Sequence, residues 1–67
     1  MWVYVLGRET ADGRRFWYSH VAGTTVVWVR NVQQARAFDN EKTAQAEQRM
    51  LKNAYGVLTW LDEVELT

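Results

Sequence analysis

Residues 25–51 read TVVWVRNVQQARAFDNEKTAQAEQRML, and a change of residue preference inside this stretch decides the fold. It opens on Thr25, Val26, Val27, Trp28 and Val29, a β-branched and aromatic run that suits a pleated strand. After Phe38 the chain turns to Glu, Lys, Ala, Gln and Arg, good helix formers among which Thr43 is the one β-branched residue. A strand therefore hands over to a helix through Ala35-Arg36-Ala37-Phe38, and that step anchors the core of a small domain. Asp39 is the predicted N-cap, with Glu41 adding favourable charge to the first turn. The helix is expected over 39–53. Ala44, Met50, Leu51 and Ala54 form its apolar stripe, with Glu47 at the middle. So narrow a stripe needs a sheet to dock on. Gly56 is placed to end the helix in a left-handed cap.

Upstream, Trp2, Tyr4 and Leu6 alternate with Val3 and Val5, which predicts a first strand over 2–9. Asp12-Gly13 signals a hairpin. A second strand over 15–20 sets Phe16, Tyr18 and His20 against Arg15, Trp17 and Ser19, and residues 21–24 turn into a third strand over 25–31. Residues 32–37 suit a helical turn or an irregular extended segment equally well. Downstream, 57–66 reads as the last strand, with Leu58, Trp60, Val64 and Leu66 on one face and Val57, Thr59 and Leu61 on the other. The expected architecture is one α+β domain over 1–67: a four-stranded, mostly antiparallel sheet with one helix on one face, in the order β-β-β-α-β. Strand order is open, with a parallel pairing of the last strand and the first among the options. The helix is expected on the aliphatic side formed by Val3, Val5, Val27 and Val29.

Sixty-seven residues allow one small core, burying only ~60% of the unfolded chain's surface. No Cys and a single His exclude a disulfide and argue against a zinc centre. No basic leader followed by a long apolar run is seen, and the expectation is a soluble cytoplasmic protein. The zero net charge divides along the chain. Residues 1–38 carry Arg8, Arg14, Arg15, Arg30 and Arg36 against Glu9 and Asp12, a balance of +3. Residues 39–67 carry Lys42, Arg49 and Lys52 against Asp39, Glu41, Glu47, Asp62, Glu63 and Glu65, a balance of −3. Overall neutrality argues against a dedicated nucleic-acid binder.

Little points to catalysis. His20 stands alone, Asp62, Glu63 and Glu65 alternate faces at the end of a strand, and the four glycines are scattered singly. No catalytic residue, metal or cofactor is expected, and the chain does not read as an enzyme. The aromatic residues are the feature above background. Trp2, Tyr4, Trp17, Trp28 and Trp60 all fall on predicted strands, with Arg30 two residues beyond Trp28. Either they are the core of a domain without disulfides, or some form an exposed face for protein–protein contact, where Trp, Tyr and Arg are the preferred anchors. Arg14-Arg15-Phe16-Trp17-Tyr18 raises the alternative of a small nucleic-acid-binding accessory protein that stacks bases on rings beside basic groups. One helix leaves one sheet face uncovered, which with two free edges predicts a homodimer at micromolar concentration.

Tyr18-Ser19-His20, then Trp28-Val29-Arg30-Asn31-Val32-Gln33-Gln34-Ala35-Arg36-Ala37-Phe38-Asp39, then Ala44, resembles a pattern in small proteins encoded by bacteriophages and other mobile elements. Those have a strand ending in Trp, a polar step, Ala-x-x-Phe, and a capped amphipathic helix with Ala near its start. The likeness covers roughly residues 1–55 and is structural. Several such proteins, anti-CRISPR proteins among them, antagonise host defence by occupying a surface of a larger complex. The resemblance implies a non-enzymatic inhibitor of a bacterial protein complex, such as a CRISPR-Cas effector, in the host cytoplasm. The neutral charge sets this chain apart from acidic members that imitate DNA, so steric occlusion is the mechanism implied.

Overall fold

In a computed structural model that describes residues 1–66, the N-terminal alternation becomes β1 (Trp2–Glu9) and the Asp12-Gly13 reversal leads into β2 (Arg15–Ala22). A two-residue turn at Gly23-Thr24 leads to β3 (Thr25–Val29). Residues 32–37 resolve into both readings in succession: a single 3-10 turn at Val32–Gln34, then an extended step to Phe38. The helix α1 (Glu41–Tyr55) and β4 (Trp60–Glu65) follow. The α+β order is the one expected, with strand order β3-β2-β1-β4. Every pairing is antiparallel, including β1 with β4, so the parallel option is corrected. The chain leaves α1 through residues 56–59, enough to reverse direction before β4.

The extended step after the 3-10 turn wedges into the sheet. β1 and β2 pair only from Gly7 to Glu9 against Trp17 to Arg15. Where they part, Phe38 pairs with Tyr4 through two backbone hydrogen bonds of 2.9 Å, and the Arg36 N–H donates to the Tyr18 carbonyl at 2.9 Å. A register shift between Tyr18 and His20 keeps β2 on β3 as it bends away. Phe38 thereby enters the core, with Leu6, Tyr18, Ala44 and Leu51.

The helix packs on the aromatic side of the sheet, not the aliphatic side. The register puts Tyr4, Leu6, Tyr18, Val21, Val26, Trp28 and Leu61 on that side, all within or against the core cluster. The reason lies in the helix itself, whose buried residues are only Ala44 and Leu51. Large rings on the sheet fill the space that small helix residues leave. The half-buried polar residues of the stripe also find partners there. Tyr18 OH donates to Glu47 at 2.6 Å, and Gln48 Nε2 donates to the Thr59 carbonyl at 2.7 Å. Ala54, expected in the stripe, is exposed. Val3 and Val5 face the other way, yet are 1% and 0% exposed.

The N-cap is Asn40, not Asp39: its side chain accepts from the Thr43 N–H at 2.9 Å. With Phe38 tied to Tyr4 through both backbone groups, the helix begins beyond it. Asn40→Ala is expected to cost about 1 kcal/mol, and Asp39→Ala less, as paired thermal melts would show. At the other end Gly56 takes the left-handed conformation, with φ of 66°.

Burial first, then the Glu47 carboxylate, pushes the Tyr18 hydroxyl up to about 12 from 10.0. Since the folded value lies above the unfolded one, this stabilisation is complete below pH 10 and is lost as pH rises toward about 12. The loss should be on the order of 2 kcal/mol. Denaturant melts through that window should show a smaller fall for Tyr18→Phe than for the wild type.

Candidate interaction surfaces

α1 lies across β1 and β4 and reaches β2 through the Tyr18–Glu47 bond, leaving much of β2 and β3 on the same face without a helix above them. The register gathers Arg8, Phe16 and Trp28 at one end of this bare strip, and Arg30, just past the end of β3, joins them over Phe16. Arg8 pairs with Phe16 across β1 and β2, and its guanidinium sits 5.2 Å from the centre of the Trp28 ring. Arg30 sits 5.9 Å from the centre of Phe16. Trp28 in turn meets Tyr18 edge-on at 6.1 Å, which joins the surface to the core. Arg8, Thr10, Phe16 and Trp28 line a cleft of about 280 Å³.

Among the described residues, Arg14 pairs with Asp12 and Arg36 approaches Glu47, but no carboxylate pairs with Arg8 or Arg30. Their positive charges, held flat against rings, are open to an outside anion. A stacked guanidinium keeps its in-plane N–H donors free, so the surface offers both apolar area and bidentate hydrogen bonding.

The other face holds a second aromatic group. Trp17 and Trp60 meet edge-on at 5.9 Å over Gly7, which pairs with both. A Cβ on Gly7 would fall 2.6 Å from Trp17 and 2.7 Å from Trp60. Gly7→Ala must therefore push two rigid rings apart, and is expected to cost about 1–3 kcal/mol. Thermal melts and a change in Trp fluorescence would register it.

The six residues predicted as one partner-binding surface are thus divided. Trp28 and Arg30 come together, joined by Arg8 and Phe16. Trp17 and Trp60 lie on the opposite face. Trp2 is 62% exposed but sits at the far end of β1, opposite Glu65. Tyr4 pairs with Phe38 and with Glu63, whose carboxylate raises the Tyr4 pKa. Arg8 was legible only through parity, since it continues the Trp2, Tyr4, Leu6 series.

A larger cleft of about 510 Å³ lies between α1 and residues 57–59, lined by Gln45, Gln48, Arg49, Lys52, Val57, Leu58 and Thr59. The Thr59 hydroxyl is buried there, with no hydrogen-bond partner among the described residues. His20 Nδ1 lies 2.8 Å from the hydroxyl of its neighbour Ser19, an exposed local contact. Among the described residues no group of His, Asp and Glu could hold a metal ion, and no helix is long and apolar enough to cross a membrane. The arrangement is that of a small α+β domain with an arginine-framed aromatic surface. No protein-family model, curated protein or solved structure matches the chain.

Proposed function

We propose that this chain is a non-enzymatic binding protein that docks on a larger protein assembly and blocks it by steric occlusion. One observation carries the reading: Arg8 and Arg30 lie against Trp28 and Phe16 on the helix-free strip, with no carboxylate among the described residues paired to either cation. Trp and Arg side by side are the anchors that most often dominate protein–protein contacts. Two open guanidiniums favour a partner surface that presents carboxylates. The resemblance to phage-encoded antagonists, anti-CRISPR proteins among them, makes a bacterial defence complex the partner class.

Arg30 is exposed, so Arg30→Ala should leave the melting temperature unchanged. Immobilised wild-type protein should retain a bacterial complex from lysate, and Arg30→Ala should bind that complex about tenfold more weakly. Equal binding by the two proteins would overturn this surface as the contact. The same stacked arginines favour a second reading, in which single-stranded bases insert beside the rings. A fluorescent oligonucleotide bound tightly at low salt and lost steeply at higher salt would support that reading instead.

A further inference from the structure

The two outer strands of the sheet are not alike. β4 carries Asp62, Glu63 and Glu65 along its length, and the Gln33 side-chain amide donates to its Glu65 carbonyl at 3.3 Å. Charge and a covering group are the usual means by which a sheet keeps an edge from pairing. β3, at the opposite edge, is Thr25-Val26-Val27-Trp28-Val29, without a charge or a proline. The register shift that bends this side of the sheet lies between Tyr18 and His20 on β2, so β3 itself runs regularly.

The direction of its backbone groups follows from one bond. Tyr18 faces Trp28 across the β2–β3 ladder, yet the Tyr18 carbonyl accepts from Arg36 on the side away from β3. Tyr18 and Trp28 are therefore a pair that exchanges no hydrogen bonds, and Trp28 turns its N–H and C=O toward the open edge. Val26, two residues earlier, turns the same way. β3 thus presents an uncharged row of donors and acceptors, with Val26 and Trp28 on one face and Thr25, Val27 and Val29 on the other.

We infer that this edge pairs with β3 of a second copy, antiparallel and centred on Val27. In that register Val26 lies opposite Trp28 of the second copy, and the pair exchanges both backbone hydrogen bonds. Thr25 lies opposite Val29, and Val27 opposite itself. These are aromatic and β-branched cross-strand pairs, each favourable by the usual measure. Arg30 falls opposite Thr24, so no like charges meet. Any slip leaves part of the five-residue strand unpaired.

The two-fold axis runs perpendicular to the sheet, so both helices lie on one face of an eight-stranded sheet. Each helix sits over its own β1 and β4, at opposite ends. Between them the helix-free strips of both copies join into one groove, floored by Phe16, Val26 and Trp28 and edged by Arg8 and Arg30. The use of this groove rests on the function proposed above; the pairing does not. A five-residue edge makes a small interface, so dimerisation in the micromolar range is expected.

Light scattering across a dilution series tests the pairing. The wild type should move from 7.9 kDa at low concentration to twice that at high micromolar. Val27→Lys and Val27→Glu each place like charges against each other on the axis, and each variant, folded by circular dichroism, should stay at 7.9 kDa. An equimolar mixture of the two should recover the dimer. A wild type that stays monomeric, folded variants that still dimerise, or a folded mixture that stays monomeric would each overturn the inference. Amide exchange gives a readout free of substitutions. The Val26 and Trp28 N–H groups should gain protection as the wild type is concentrated, and exchange independent of concentration would overturn the pairing. Both readouts stand whatever the partner-binding assay returns.

Discussion

Phe38→Ala should bring the domain close to unfolding at room temperature. Phe38 is 4% exposed and packs with Leu6, Tyr18, Ala44 and Leu51, while the Arg36 guanidinium covers its ring at 5.4 Å. Truncating a buried phenylalanine to alanine costs about 3–5 kcal/mol. A chain of 67 residues holds roughly 3–10 kcal/mol in all, at ~0.05–0.15 kcal/mol per residue. The loss is therefore comparable with the whole stability. Phe38 has a further role beyond its volume: the ring fixes the segment that separates β1 from β2, so a collapse of the cavity would have to move a paired strand. Chemical denaturation should show a midpoint shifted far toward water, or no native baseline. A shift no larger than that of Asn40→Ala would contradict the wedge role of Phe38.

Leu51→Ala is expected to be the next most severe, at about 2–5 kcal/mol. Leu51 is fully buried and is the largest side chain that α1 places in the core. Besides Leu51, α1 brings the small Ala44, the partly buried Met50 and Tyr55 against the same cluster, and the polar bonds of Glu47 and Gln48. Loss of helical circular dichroism should coincide with loss of aromatic signal, because the helix has no stability apart from the sheet. An unchanged denaturation midpoint would mean that α1 presents a different face. The two substitutions touch one cluster, so their effects should not add in the double variant.

The element order was legible because each signal is local. Alternation through Trp2–Glu9, the Asp12-Gly13 reversal, the β-branched run at 25–29 and the shift to helix formers after Phe38 act through neighbours in the chain. Gly56 at the helix end belongs with them, since its left-handed backbone is a local demand. The aromatic and arginine residues of the candidate surface were visible as types, and Arg30 sits over Phe16 on the sheet side that carries Trp28. Their setting was not visible. The alternation of Trp60 with Leu61 is visible in the sequence, but not which sheet face each takes; pairing with Gly7 puts Trp60 on the face opposite Trp28.

The sequence by itself determined the order of strands and helix, the reversal at Asp12-Gly13, the helix end at Gly56, and which side chains alternate together within a strand. Only the tertiary structure decided which sheet face the helix takes, that Phe38 parts β1 from β2, and that β3 and β4 are the edges. The physical reason is that these choices rest on contacts between residues distant in the chain. Both faces of β1 are apolar, so burial alone does not rank them. The choice falls to shape and to polar partners: small Ala44 against large rings, and Glu47 within reach of Tyr18.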